Sequence, residues 1–266
     1  MTPWLDVCRE AVGDIKAVLV DLPTRVEREP VLQTGVGGDD TTAIDAAAET
    51  AVVHRLERLD QGFTLVSEEL GERVFNGGGT LRVVCDPIDG SLNAKRDIPF
   101  FSLSLAVAEG DTMGDVLFGY IYDFGSGEEW TATRGEGAFL NGARLGAVKP
   151  KDEIEILSFE ATTTAEVAER AAAMVGRAYR LRIMGSLALS LCHLAAGRVD
   201  AVCSLKPARS VDIAAGQLLV RECGLAIDLF EDPPFERAPL DLTGRSRVVA
   251  AGTTALCRTL QDALTA

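Results

Sequence analysis

The chain has 266 residues, 47% of them hydrophobic, and a formal net charge of −14. That is apolar material enough for one large domain or two closely packed halves, and it excludes a disordered or repetitive chain. The acidic balance also argues against nonspecific binding to nucleic acid or anionic membranes, which needs basic patches.

No apolar run reaches the length of a membrane span, and the segment from Met1 to Asp6 lacks the basic and apolar regions of a signal peptide. The cytoplasm is the expected location. The cysteines, Cys8, Cys85, Cys192, Cys203, Cys223 and Cys257, form no C-x-x-C pair and lie mostly in apolar segments. They read as reduced core residues.

In chain order, helical apolar spacing runs from Trp4 to Val20. The glycine-rich stretch Thr34 to Asp40 reads as a surface loop rather than a phosphate cradle, because no strand precedes it. Thr41 or Thr42 then caps a helix reaching about Leu59. Phe63–Val66 reads as a strand closed by Ser67-Glu68-Glu69, and Leu81–Cys85 as a buried strand. A strongly apolar central strand is expected from Ile98 to Ala108. Asp115–Asp123 and Glu128–Thr133 form the next two, joined through Gly125-Ser126-Gly127, and Asn141-Gly142 marks a further turn.

After about Pro150 the pattern alternates between strands (Ile154–Phe159, Ala178–Ile183, Val199–Ser204, Leu225–Leu229, Arg247–Ala251) and helices (Thr164–Val175, Ser186–Ala196, Val211–Cys223, Thr254–Leu264). Two α/β halves, residues 1–150 and 151–266, are expected.

The run Asp86-Pro87-Ile88-Asp89-Gly90-Ser91 carries the most chemistry. It follows the Leu81 strand, so two carboxylates three residues apart sit where the chain must turn. Pro87 stiffens that turn, and Gly90 lets backbone approach a ligand. Hard carboxylate oxygens suit Mg²⁺, while the adjoining amides suit a phosphate oxygen. Alone, the run is also ordinary turn chemistry. Two other acidic positions give it company, Glu68-Glu69 after the preceding strand and Asp212 at the start of a helix. His54 and His193, inside helices and away from these motifs, read as structural.

The order S-E-E, then D-P-I-D-G-S-x-N, then V-D-I-A-A-G resembles the inositol monophosphatase family, within the superfamily that includes fructose-1,6-bisphosphatases. Asn93, Ile98-Pro99-Phe100 and the stretch from Arg134 to Asn141-Gly142 extend the resemblance over nearly the whole chain. Ser91 stands where the family has Thr, Ala94 where it has Phe, and Val211 where it has Trp. The segment from Lys206 to Asp212 looks more like the archaeal branch, known for acting on both inositol monophosphates and fructose 1,6-bisphosphate.

The resemblance implies an α/β fold, an αβαβα sandwich with α+β layering. Residues 1–150 would carry most metal ligands, and residues 151–266 would supply Asp212 and substrate-binding arginines. It implies two or three Mg²⁺ ions among Glu68, Glu69, Asp86, Asp89, Asp212 and the Ile88 carbonyl. Ser91, with Glu68 and Asp45, would orient or deprotonate the attacking water. The loop from Gly37 to Thr42 would close over the site. Substrate contacts are expected from Asp89, Gly90, Ser91, Arg182, Leu187 and Arg209, the arginines as bidentate partners of phosphate or sugar oxygens. The implied activity is Mg²⁺-dependent phosphomonoester hydrolysis of a small sugar or inositol phosphate by a homodimer. A 3′,5′-bisphosphate nucleotidase and a non-catalytic regulatory binding module on the same fold are the alternatives.

Overall fold

A computed structural model describes residues 3–35, 40–147, 149, 151–160 and 163–265. Residues 36–39 of the glycine-rich loop, expected to close over the site, lie outside the described residues.

Helix α1 (Pro3–Asp21) and the short α2 (Arg25–Arg28) precede a ribbon of β1 (Val31–Thr34) and β2 (Asp40–Thr42). Thr42 ends the ribbon and caps α3 (Ala43–Leu56) through a reciprocal capping box with Asp45. Then follow β3 (Phe63–Ser67), β4 (Gly71–Phe75), β5 (Leu81–Asp89), α4 (Ser91–Arg96), β6 (Ser102–Glu109), β7 (Val116–Asp123), β8 (Glu129–Thr133), β9 (Gly137–Leu140) and β10 (Ala143–Arg144). The second half contributes β11 (Ile154–Glu160), α5 (Thr164–Arg170), β12 (Ala178–Arg182), α6 (Leu187–Ala195), β13 (Ala201–Ser204), α7 (Ser210–Glu222), β14 (Ala226–Leu229), β15 (Val248–Ala251) and α8 (Thr254–Thr265).

Beyond the β1–β2 ribbon, each half of the chain builds one sheet. The first has eight strands in the order β10-β9-β8-β7-β6-β5-β3-β4, and the second has five in the order β12-β11-β13-β15-β14. Side-chain alternation sorts the layers. In β5, Val83 and Cys85 pack towards α1 and α3, while Val84 faces α6 and α7. The same middle helices cover the second sheet through Val202, Val248 and Ala250. Leu157, Cys203 and Val249 face outward onto Leu260 and Leu264 of α8. The result is the expected αβαβα sandwich. One continuous apolar cluster joins the two sheets through α6 and α7.

The A-A-G part of the V-D-I-A-A-G motif is a packing device. A Cβ on Gly216 would lie 2.8 Å from Cδ1 of Leu191, so α7 could not close on α6 with a larger residue there.

Several boundaries differ from the sequence reading. The central strand starts at Ser102 rather than Ile98. The residues before it wrap Asn93 instead: the Ile98 amide donates to the Asn93 carbonyl and the Asn93 amide to the Phe100 carbonyl. The helix expected over Thr164–Val175 ends at Arg170 and continues as a 3₁₀ turn, Ala171–Met174, and α3 stops at Leu56, short of Leu59. The strand β4 and the six-residue α4 were not read, the first because three of its five side chains face solvent, the second because it is too short to show a period. All six cysteines are free, and only Cys223 is less than buried.

Candidate metal and phosphate site

Strand pairing alone brings the first two acidic motifs together. β3 and β5 are parallel neighbours with Ser67 beside Cys85, so the next residues, Glu68 and Asp86, come side by side where β3 ends. The β5–β6 ladder then breaks between Asp86 and Asp89. Pro87 cannot donate to a ladder, and the extra residue bulges the strand and re-aims its side chains. The Asp86 carboxylate accepts the Ile88 amide at 2.9 Å, which locks the turn.

Gly90 follows at φ +95°, a left-handed conformation. A Cβ there would sit 3.1 Å from the carbonyl oxygens of both Gly185 and Phe100, so only glycine fits between those two chains. The Ser91 hydroxyl donates to the Ile88 carbonyl at 3.0 Å, and α4 begins at Ser91.

The third motif arrives from the second half. Asp212 occupies the first turn of α7, where its carboxylate accepts the Arg209 amide at 2.8 Å and the helix dipole favours it. One oxygen each from Glu68, Asp86 and Asp212 lies within 4.8 Å of the others. Asp89 stands beside them, held by the Ser186 hydroxyl and by the Ala188 amide at 2.9 Å.

Electrostatically this arrangement is in conflict. Burial, then the charges of Glu68, Asp89 and Asp212, hold the Asp86 carboxyl well above the usual carboxylate range. Glu68 is pushed up to about 7 by burial and by Asp212, opposed by Arg209. Asp89 rises to about 7 through burial despite its hydrogen bonds. Asp212 rises to about 6 through burial and Asp89. Hard oxygen donors converging at this spacing, with their mutual repulsion only partly offset, are what a divalent cation of the Mg²⁺ type requires.

Other expected residues take more varied places. The Asp45 carboxylate is 5% exposed; one oxygen accepts the Thr42 amide at 3.1 Å, and the other is buried without a hydrogen-bond partner. Glu69 accepts a hydrogen bond from Thr41 and lies outside the close trio. Arg209 is 5% exposed and pairs with Glu68, so its guanidinium faces the acids as well as the cleft. Leu187 lines the cleft. Arg182 does not: it is exposed on β12, outside the lining of the cleft, and donates back to the Leu181 carbonyl at 2.9 Å. The substrate contact expected of Arg182 rests on the family resemblance together with the bidentate geometry of a guanidinium, and a strand-end arginine can face either side of its sheet.

The cleft encloses about 680 Å³. Its first wall is the acidic cluster with Gly90 and Ser91. Its second, from residues 151–266, includes Glu160, Met184, Gly185, Lys206, Arg209 and Arg245. Glu160 and Glu49 were missed by sequence reasoning. Glu49 lies beneath the cluster, accepting the Ser67 hydroxyl at 2.6 and 2.7 Å, and burial pushes it up to about 7. Glu160 ends a buried strand, the same signal that exposed Glu68, but no second acid beside it drew notice.

The chain matches the inositol monophosphatase family model over residues 10–265. It belongs to the inositol monophosphatase family. This phosphatase is 31% identical to a Thermococcus kodakarensis fructose-1,6-bisphosphatase/inositol-1-monophosphatase, over 98% of this chain and 97% of that one. It is 33% identical to the Nus factor SuhB of Salmonella typhimurium, over 99% of each. A solved inositol monophosphatase-fructose 1,6 bisphosphatase superposes with a TM-score of 0.85 at 27% identity, covering 98% of this chain and all of that one. Enzymes of the family are metal-dependent, and the acidic cluster here is a donor set of the matching kind. Among the described residues, no helix is long and apolar enough to cross a membrane.

Proposed function

We propose that this phosphatase hydrolyses inositol monophosphate, fructose 1,6-bisphosphate, or both, using Mg²⁺. Glu68, Asp86, Asp89, Asp212 and the Ile88 carbonyl would hold two or three ions, with Glu69 supporting the most weakly bound. When bound, Mg²⁺ supplies Lewis acidity towards phosphate oxygens and a water made acidic enough to attack at neutral pH. The observation that carries this reading is four carboxylates crowded together, Asp86 and Asp89 buried and Glu68 and Asp212 half-buried, a repulsion that a divalent cation relieves without protonating them.

The chain's own groups have distinct tasks. The amides of Gly90 and Ser91, presented by the left-handed turn, hold phosphate oxygens. The Ser91 hydroxyl, together with Glu68 and Asp45, orients the attacking water and takes up its proton; the unpartnered Asp45 oxygen supports that assignment. Arg209 and Leu187 meet the substrate from the opposite wall. Residues 1–150 thus provide most metal ligands, and residues 151–266 provide Asp212 and the substrate side. The exposed apolar side chains Val175, Tyr179 and Ile183, along and beside the edge strand β12, support a homodimer.

Phosphate release from a panel of inositol monophosphate, fructose 1,6-bisphosphate and a nucleoside 3′,5′-bisphosphate, with and without Mg²⁺, tests the reading. Release confined to the nucleotide would replace it with the nucleotidase alternative. The SuhB likeness favours a second reading, a regulatory role in transcription. A binding module, however, has no need of four carboxylates crowded into mutual repulsion.

A further inference from the structure

Glu160 ends β11 and is 1% exposed. Four donors converge on its carboxylate. The Ser158 and Ser190 hydroxyls each approach Oε1 at 2.7 Å, the Gly185 amide meets Oε2 at 2.8 Å, and the Met184 amide lies 3.4 Å from Oε1. Two of these are backbone N–H groups, which have no other role than to donate.

The segment that supplies them is fastened from its other side as well. The Asn93 side-chain amide donates to the Met184 carbonyl at 2.8 Å. The Ser186 hydroxyl and the Ala188 amide donate to Asp89. Residues 183–188 therefore form a strap, tied to the second sheet by Glu160 and to the phosphate-side loop by Asn93 and Asp89. Ile183, Met184, Gly185 and Leu187 of this strap line the cleft opposite Asp86 and Ser91.

We propose that Glu160 is a positioning residue of the phosphatase, fixing the strap as the wall against which the polyol of the substrate rests. The inference uses the family's phosphatase activity and does not depend on which sugar or inositol phosphate is preferred. It distinguishes geometry from charge. Aspartate keeps the charge but is one methylene too short to reach both serines and the Gly185 amide. Glutamine keeps the length: its oxygen can accept from Gly185 and its NH₂ can donate to hydroxyls that rotate to accept, so that only the long 3.4 Å Met184 contact is given up.

The test compares Glu160→Asp and Glu160→Gln in the full chain with saturating Mg²⁺. Steady-state kinetics on inositol 1-phosphate and on p-nitrophenyl phosphate, which has no polyol, are combined with hydrogen exchange at the Gly185 amide. Glu160→Asp should raise KM for inositol 1-phosphate by about tenfold and speed Gly185 exchange, while kcat for p-nitrophenyl phosphate stays within about threefold. Glu160→Gln should remain within about threefold of the parent in every readout. Unchanged KM and exchange in Glu160→Asp would overturn the proposal, as would equal damage by glutamine, which would make the charge the essential feature. If Glu160→Asp fails to fold, Ser190→Ala takes its place, and unchanged Gly185 exchange in that variant overturns the proposal. If the parent hydrolyses neither probe, the exchange measurement still judges the strap, so failure of the substrate assignment and failure of the strap are distinguishable.

Discussion

Glu160 and the acidic cluster face the same cleft, and burial raises all of these carboxylates, but they differ in their other partners. Glu160 is raised by burial, and the hydroxyl and amide donors around it offset only part of that desolvation. Glu68, Asp86, Asp89 and Asp212 have some donors too, but each is raised further by like charge. A buried acid that the fold itself satisfies is part of the scaffold. A buried cluster that the fold leaves in conflict is built for something the chain does not contain. The contrast separates the reactive wall of the cleft from the wall that shapes it.

The largest effect expected on this contrast is that of Asp86→Asn. It removes the charge at the centre of the cluster, so turnover should fall about a thousandfold or more, the scale of several kcal/mol of metal-assisted stabilisation. The metal-free protein should become more stable, because repulsion is relieved. Thermal unfolding in chelator together with phosphate release measures both. A fall in activity accompanied by a fall in metal-free stability would mean that Asp86 is scaffold, like Glu160.

The next effect concerns pH. Glu68 and Asp89 titrate near 7 and Asp212 near 6 in the fold, all above their ordinary values near 4. The native state therefore binds more protons than the unfolded state across that window. Their contribution to the stability of the metal-free protein falls as pH rises from about 4 to about 7. Mg²⁺ should restore it, with a larger rise in melting temperature at pH 8 than at pH 5. A metal-free melting temperature that climbs through this window would contradict the assigned conflict.

Smaller effects are expected on the substrate side. Arg209→Ala should raise KM for fructose 1,6-bisphosphate by roughly tenfold, and less for inositol monophosphate, the scale of one charge-assisted hydrogen bond. Equal effects would mean that Arg209 serves Glu68 alone. Arg182→Ala should leave KM within about twofold for either substrate, the ordinary result for an exposed side chain outside a site. A larger change would return Arg182 to the site.

The same two walls differ in how far the sequence revealed them. The acids of the reactive wall stand at strand ends and a helix start in motifs only a few residues long, so Glu68, Asp86, Asp89 and Asp212 drew attention locally, and the order of the three motifs joined them into one ligand set through the family resemblance. Periodicity made the two α/β halves and helix α1 legible, but the layered sandwich came only with the family resemblance; the structure shows why, since β5 sends its alternate side chains into two different cores. The shaping wall is assembled from distant residues: Glu160 meets Gly185 and Ser190 only after β11 and α6 pack. Arg182 stands outside the cleft lining for a related reason, since the facing of a side chain at an edge depends on the neighbouring layers. Ile98 to Phe101 looked like strand because it is apolar, yet its backbone is taken up by Asn93.

The central claim is that a cation completes the acidic cluster and enables phosphate release. Calorimetric titration of Mg²⁺ into the parent and Asp86→Asn proteins, with phosphate release from inositol 1-phosphate and fructose 1,6-bisphosphate followed on the same samples, tests it most directly. The account predicts Mg²⁺ binding and Mg²⁺-dependent release by the parent, with both lost in the variant. Release that persists in chelator, or an Asp86→Asn protein that binds Mg²⁺ and turns over like the parent, would contradict it.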